Sequence, residues 1–480
     1  MDLLQLPQDI WVLILDLLTQ ADALQLARVN RAAHCVAMPR VLYQVELRWE
    51  RAATREHPRP QRSGAQVVSF ASLIMGNPDA YAHHVKSLII HWSPNFHLGE
   101  HYLASKESVK ALRHVSSVRQ LTLTEAEFDC GFSSEVVDVM ASQDRLQCIR
   151  LEQFDKIAIS LLERTVSRLR EVVLVSDMGR GDGLFDFDYL RPHAETLEVF
   201  RMFAYRFECP LSDGDTWTRV HTLEIQVADL DFPSLVITLA HAFPHVRCLS
   251  LKTFMSHLDG AVLEPLAWPS LDVVNLSRVC LNLVTPVRVV CFDSLTHHAF
   301  PPRFLEYTQP AVLSLHLDYV TLHTKMWFHD LLTPKGLRSL RYLQLRWATM
   351  RNADPMDSEA MDTIKQLAEL GLHLHAISLC HHPIPSGSDW EDADSEAPAS
   401  RERMAKSIAP LFPTVELVGL GHHENALFSA STPLVITPTI WYRVRRVRDN
   451  PGDEIIVEAA HPEETAEINR YVKNLGRSAT

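Results

Sequence analysis

The chain reads as an α/β protein, a short helical module followed by an irregular solenoid with parallel strands. Three observations predict this. A pattern of apolar-x-x-apolar-x-apolar returns along most of the 480 residues. Between its copies the apolar spacing switches from two to about 3.6 residues, the period of a helix. The first 47 residues carry two apolar helical segments in immediate succession.

In the opening segment, Leu6-Pro7 begins a very apolar helix, and Pro7 suits a first helical position because its missing N–H has no partner there. Ile10, Ile14, Leu17 and Leu18 recur at spacings of three and four and form one stripe. Asp22 is placed to cap a second helix, in which Leu24, Leu26 and Val29 extend the apolar surface. So short a segment cannot bury this much Leu and Ile internally, so part of it should face another protein.

On Leu6, Pro7, Asp9, Ile10, Ile14, Leu15, Leu18, Asp22, Leu24, Leu26, Val29 and Arg31, residues 1–47 resemble an F-box. The run from Pro39 to Leu47, with Leu42, Tyr43, Val45 and Leu47, is similar to the tail of many fungal members. Asn30 and Ala33 stand where many members carry Cys and Trp. The resemblance implies a three-helix module that docks on the Skp-type adaptor of a cullin–RING ubiquitin ligase. The adaptor-binding set it implies is Leu6, Pro7, Ile10, Ile14, Leu15, Leu18, Leu24, Leu26 and Val29.

Residues 48–80 read as a linker or irregular connection, polar from Arg48 to Gln66 with Pro58 and Pro60. The repeat occupies 81–422. Its copies are Val85/Leu88/Ile90, Val118/Leu121/Leu123, Leu146/Ile149/Leu151, Leu169/Val172/Leu174, Leu197/Phe200/Met202 and Val220/Leu223/Ile225. They continue as Val246/Leu249/Leu251, Leu271/Val274/Leu276, Val312/Leu315/Leu317, Leu340/Leu343/Leu345, Leu374/Ile377/Leu379 and Val415/Val418/Leu420. From 118 to 271 the starts are 28, 23, 28, 23, 26 and 25 residues apart. A short strand per unit and a period in the twenties resemble a leucine-rich repeat. The Asn or Cys that this family places after the strand is replaced by Ala126, Phe154, Asp177, Tyr205, Ala228, Phe254 and Val279, so no buried Asn ladder is expected.

Helical segments fall at Ser134 to Gln143, from Pro233 to near Pro244, and at Ser358 to Leu370 with Gly371 as its stop. Strands alternating with such helices make a parallel sheet with helices outside. The acidic run 386–400 (Asp389, Glu391, Asp392, Asp394, Glu396) reads as a disordered loop. Residues 423–480 are read as a C-terminal cap, with an amphipathic helix from Pro462 to Leu475 closing the open end of the solenoid.

A net charge of −13, from 46 basic and 59 acidic residues, argues against broad nucleic-acid or anionic-membrane binding. The eight cysteines include no C-x-x-C pair, and several sit in apolar runs as reduced core thiols do. No apolar stretch is long enough to span a bilayer, and Asp2 precedes the first apolar run where a signal peptide would be basic. The expected setting is intracellular, cytoplasmic or nuclear.

Catalytic motifs are not found. His97-Leu98-Gly99-Glu100-His101 matches H-x-x-E-H, but Pro94 and Gly99 spoil the helix that a zinc site needs. The pairs His83-His84, His297-His298, His381-His382 and His422-His423 read as surface loops. The run Asp177 to Gly183 lacks the Lys-Ser/Thr of a P-loop and the ligand spacing of an EF-hand. Asn275-Leu276-Ser277 fits a glycosylation sequon but lies in a predicted strand. The chain is read as a non-enzyme with no cofactor and no metal.

The intervening strand positions should form the concave face. One row is Thr122, Arg150, Val173, Arg201, Glu224, Ser250, Asn275, His316 and Gln344; the next is Glu152, Phe203, Gln226, Lys252, Ser277, Asp318 and Arg346. From these, Arg150, Glu152, Arg201, Phe203, Glu224, Lys252, His316, Asp318, Gln344 and Arg346 are the candidate substrate face, because mixed charge and an aromatic suit protein recognition. The expectation is a substrate receptor of a Skp–cullin–F-box ligase holding a target protein. The alternative is a repeat scaffold for protein–protein interaction with no ubiquitin role.

Overall fold

The computed structural model describes residues 6–48, 65–91, 106–124, 134–154, 156–176, 185–203, 216–227, 232–253, 265–266, 268–279, 281–294, 303–317, 332–333, 335–349, 358–383, 398–422, 440–447 and 454–477. The chain divides into two compact units, Met1–Asp229 and Leu230–Thr480.

The first unit opens with helices α1 (Gln8–Leu17), α2 (Gln20–Ala27) and α3 (Arg31–Tyr43), leading directly into strand β1 (Gln44–Arg48). Pro7 is the residue before α1 rather than its first helical residue. Thr19 caps α2, not Asp22: its hydroxyl oxygen accepts from the Asp22 N–H at 3.2 Å and donates to the Asp22 carboxylate at 2.6 Å. The Thr19 hydroxyl thus takes one backbone N–H of the helix start, and the Asp22 carboxylate orients that hydroxyl. The Gln20 side chain ties α2 to α3 by donating to the Val41 carbonyl at 2.7 Å.

Then follow α4 (Ala65–Gly76), α5 (Pro78–Tyr81), β2 (Ser87–His91), α6 (Lys106–His114), β3 (Gln120–Thr124), α7 (Ser134–Ala141), β4 (Cys148–Glu152), α8 (Lys156–Arg164), β5 (Glu171–Val175), β6 (Val199–Phe203) and β7 (Thr222–Val227). The connection expected over 48–80 therefore holds two helices. In α4, Val67, Phe70, Ala71 and Ile74 are buried at spacings of three, four and seven, a core stripe that the neighbouring polar run obscured.

Strands β1 to β7 pair in sequence order and all in parallel. Val45, Leu88, Leu121, Ile149, Val172, Phe200 and Leu223 align across them, and every one is buried. This ladder is what the repeat encodes: one apolar residue per unit at a fixed register. A cluster of Phe185, Phe187, Phe200 and Trp217 fills the core, with Phe187 5.8 Å from Phe200 and 5.5 Å from Trp217, ring centre to ring centre.

The second unit contains α9 (Phe232–Ala242), β8 (Cys248–Thr253), β9 (Val273–Ser277), β10 (Val289–Ser294), α10 (Phe304–Thr308), β11 (Val312–Leu317), β12 (Tyr342–Thr349), α11 (Ser358–Glu369), β13 (Ala376–Pro383), α12 (Pro398–Ile408), β14 (Leu417–His422), β15 (Ile440–Val447), β16 (Glu454–Ala459) and α13 (Pro462–Asn474). From β8 to β14 the pairing is again sequential and parallel. It then turns antiparallel through β15 and β16. Leu249, Val274, Val290, Leu313, Leu343, Ile377 and Val418 form the aligned ladder.

That register corrects one copy. Leu313, not Leu315, stands opposite Val290, so the copy read from Val312 is set two residues late. Gly371, at φ +66°, ends α11 as expected, where a side chain would be strained. The acidic run is helical from Pro398, and the rest of it lies outside the described residues. His381-His382 lie in β13 and His83-His84 in a helical turn at Ala82–His84, not in loops. His97–His101, His297-His298 and Asp177–Gly183 lie outside the described residues. Asn275 is buried in β9, as its predicted strand implied. Where the repeat family carries Asn, Phe154 and Val279 are buried apolar residues.

Candidate functional site

The candidate residues fall on three surfaces, two of the first unit and one of the second. The first is the N-terminal helical module. In α1, Trp11 and Leu15 turn inward, 6% and 9% exposed. Ile10, Leu13 and Leu17 line the outer side, with Leu13 62% and Leu17 87% exposed. Val12, Leu24 and Val29 add further exposed aliphatic surface. Ile14, Leu18 and Leu26 are half-buried, Pro7 is exposed, and Leu6 is half-buried. Of the nine residues proposed for adaptor binding, Leu15 is thus a core residue. Val12 and Leu13 belong to the outer surface although they were not singled out. With apolar residues on both sides of the helix, the outer stripe cannot be distinguished from spacing; the buried Trp11 marks the inner one.

The second surface is the open face of β1–β7, where half-buried charged side chains pair in short runs. Glu46 meets His91 Nε2 at 2.6 Å, and Thr124 bonds His91 Nδ1 at 2.8 Å. Arg150 Nε donates to Glu152 at 2.5 Å. Arg201 lies between Glu171 at 3.0 Å and Glu224 at 3.7 Å. The structure therefore brings the predicted Arg150, Glu152, Arg201, Phe203 and Glu224 onto one face, all half-buried. Val173, expected among them, is buried, because the flanking strands place longer side chains on either side of it. Such pairs are weak in water and exchangeable for a partner's charges.

The third surface differs from its expectation. Over β8–β14 the corresponding positions are covered: Ser250, Asn275, Gln344 and Arg346 are all buried. Lys252 and Arg346 converge on Asp293, each at 2.9 Å. Asn275 donates to the same carboxylate at 2.9 Å, and the His316 Nδ1–H donates to the Asp293 carbonyl at 2.6 Å. Burial alone would raise the Asp293 pKa; Arg346 and Lys252 outweigh it and hold the carboxyl well below the usual range. Gln344 sits in a second network, accepting from Ser314 at 3.0 Å and donating to Tyr342 Oη at 3.2 Å and Ser378 at 3.3 Å. Gln344 and Arg346 are thus internal, and His316 holds a strand end. Asp318 lies outside the described residues.

The C-terminal helix packs on the first row of this face. Ile468 and Val472 of α13 join one core cluster with Val273, Val289, Val312, Tyr342, Ala376, Leu417 and Trp441. The helix expected to close the end of the repeat lies instead on the sheet face. The reason is legible in the first residue of each strand. In β9–β14 these are Val273, Val289, Val312, Tyr342, Ala376 and Leu417, all apolar. In β1–β7 they are Gln44, Ser87, Gln120, Cys148, Glu171, Val199 and Thr222, mostly polar. Only the former face needs a cover.

Burial pushes the Cys148, Cys291 and Cys380 thiols up to about 12, so they are protonated and poor nucleophiles. Among the described residues no three His, Cys, Asp or Glu side chains converge as metal ligands would, and no helix is long and apolar enough to cross a membrane. No protein-family model matches the chain, and no curated protein matches it significantly.

Proposed function

We propose that the chain is a substrate-recognition subunit of a Skp–cullin–F-box type ubiquitin ligase, with α1–α3 docking on the adaptor and the face of β1–β7 engaging a target protein. The observation that carries this reading is the outward row Ile10, Leu13 and Leu17, an exposed aliphatic stripe within a segment that resembles an F-box. Water-exposed Leu at this density marks an association surface. An exposed aliphatic row along one helix suits an apolar partner surface rather than a small molecule.

In this role the chain performs no bond chemistry. It raises the local concentration of a target's lysines beside an activated ubiquitin, an effect of proximity alone. The target surface falls to Arg150, Glu152, Arg201, Phe203 and Glu224, because the matching Ser250, Asn275, Gln344 and Arg346 of the second unit are buried.

The test is co-purification of a Skp-type adaptor with the full chain, with Leu13→Asp/Leu17→Asp, and with a chain lacking residues 1–47. Capture by the full chain alone, with cullin following the adaptor, supports the reading. Equal capture by all three, or capture by none, overturns it.

A further inference from the structure

We propose that α13 is a displaceable occupant of a helix-binding trough on the face of β9–β14, held in cis and exchangeable with a second helix of the same chemistry. The proposal rests on the reading of the strand faces as protein-binding surfaces, but its test involves neither adaptor nor target.

The trough is built for a helix. Its floor is the aligned row Val289, Val312, Tyr342, Ala376 and Leu417, one residue per strand. Its far end has a dedicated anchor. Arg288, fixed by two 2.8 Å bonds to Asp272, donates to the Lys473 carbonyl at 2.8 Å and to the Leu475 carbonyl at 3.4 Å, capping the helix C-terminus. Near the middle, Trp441 Nε1–H donates to Asn469 Oδ1 at 2.8 Å.

The occupant itself supplies little of the apolar contact. Only Ile468 and Val472 of its 13 residues are buried, with Leu475 partly so. The rest of the apolar area buried in this contact belongs to the floor, where Val312, Tyr342, Ala376 and Trp441 are 0% exposed, and another helix of the same shape would bury it as well. A groove stays open along its flank, between Glu467 and Tyr471 on the helix and Glu416, Arg443 and Arg445 on the sheet. The Arg443–Glu464 pair at its start is exposed on both sides. The helix is joined to β16 through Ala460, whose N–H donates to the Trp441 carbonyl at 2.7 Å, and His461, so a hinge would fall at His461. The partner that fits the trough is therefore an amphipathic helix with two aliphatic side chains four residues apart and free carbonyls at its end for Arg288.

The experiment uses the full chain carrying Ile468→Asp and Val472→Asp, and a fluorescent peptide of residues 460–478 read by anisotropy. The variant should bind the peptide. The native chain should bind it about a hundredfold more weakly, because the tethered helix competes at high effective concentration. A peptide with the same two Asp substitutions should not bind. A variant that keeps a native-like cooperative melt yet binds no peptide overturns the proposal, and so does one that loses the melt, since α13 would then be core. Hydrogen exchange of the native chain supplies an independent reading. Amides of 463–474 exchanging together and ahead of β9–β14 support displacement; exchange only with global unfolding refutes it.

Discussion

Arg346 on β12 reaches across β11 to Asp293 on β10, placing its Nη2 2.9 Å from the carboxylate and 3.2 Å from the Phe292 carbonyl. The guanidinium is buried, so its charge depends on that carboxylate far more than a surface arginine's would. Asp293→Asn keeps the shape and an acceptor but leaves the buried cation uncompensated. It should destabilise the second unit by about 3–5 kcal/mol in a denaturant titration. Because the folded pKa of Asp293 lies below its ordinary 3.8, its contribution is complete above that value and is lost as pH falls below it. The native chain should therefore lose stability below pH about 4 more steeply than the variant.

His193 gives the opposite kind of charge dependence, in a milder pH range. It is buried, with Nε2–H donating to the Leu162 carbonyl at 2.9 Å and Nδ1 accepting from the Leu169 N–H at 3.5 Å. Burial lowers its pKa below 6.5, against a smaller opposing effect of the Leu162 carbonyl. The fold thus holds the neutral ring. Its contribution is full above 6.5 and declines as pH falls below that, by up to about 1.4 kcal/mol per unit. His193→Gln should melt lower at pH 7 but show a flatter pH dependence between about 5 and 6.5 than the native chain, by thermal melts across that range.

The strands were legible because their signal is redundant. In all twelve repeat copies the last two apolar residues lie in a strand, even in the copy set two residues late. A shift of two leaves the facing unchanged, which is why the error at Val312 put His316 in the wrong row but on the right side. Strand β10 was missed because its copy, Val287/Val290/Phe292, begins only 16 residues after Leu271, far short of the prevailing period. Strand β1, Gln44–Arg48, follows the same rule with Leu42, Val45 and Leu47, a run whose sequence resembles the tail of the helical module instead. The burial of Gln344 and Arg346 was not legible in their own positions. It comes with partners on other strands that no local pattern announces: Ser314 and Ser378 for Gln344, and Asp293, 53 residues away, for Arg346.

Gly476 ends α13 in a conformation that a side chain resists. Its φ is +78°, and a Cβ there would come within 2.5 Å of Ala311 Cβ. Gly476→Ala should cost about 1–2 kcal/mol from the left-handed backbone alone, with the contact added to it. The effect should concentrate on the helix end. Arg288 would lose its hold on the Leu475 carbonyl, and amides 470–475 should show faster hydrogen exchange while those of β11–β13 are unchanged.

Leu15 and Leu17 are two residues apart on α1, yet they should fail in different ways when replaced by Asp. Leu15 is buried in the helical module, so a carboxylate there has no partner and no water. Leu15→Asp should cost about 3–5 kcal/mol and unfold the module locally. Leu17 is 87% exposed, so Leu17→Asp should leave the thermal melt within about 0.5 kcal/mol of native. Under the proposed function both variants lose the adaptor, but only Leu17→Asp does so as a folded protein. Proteolysis resolves the two: cleavage within residues 8–43 should accelerate for Leu15→Asp and stay native for Leu17→Asp. A Leu17→Asp chain that binds adaptor normally would move the interface off the Ile10–Leu13–Leu17 stripe.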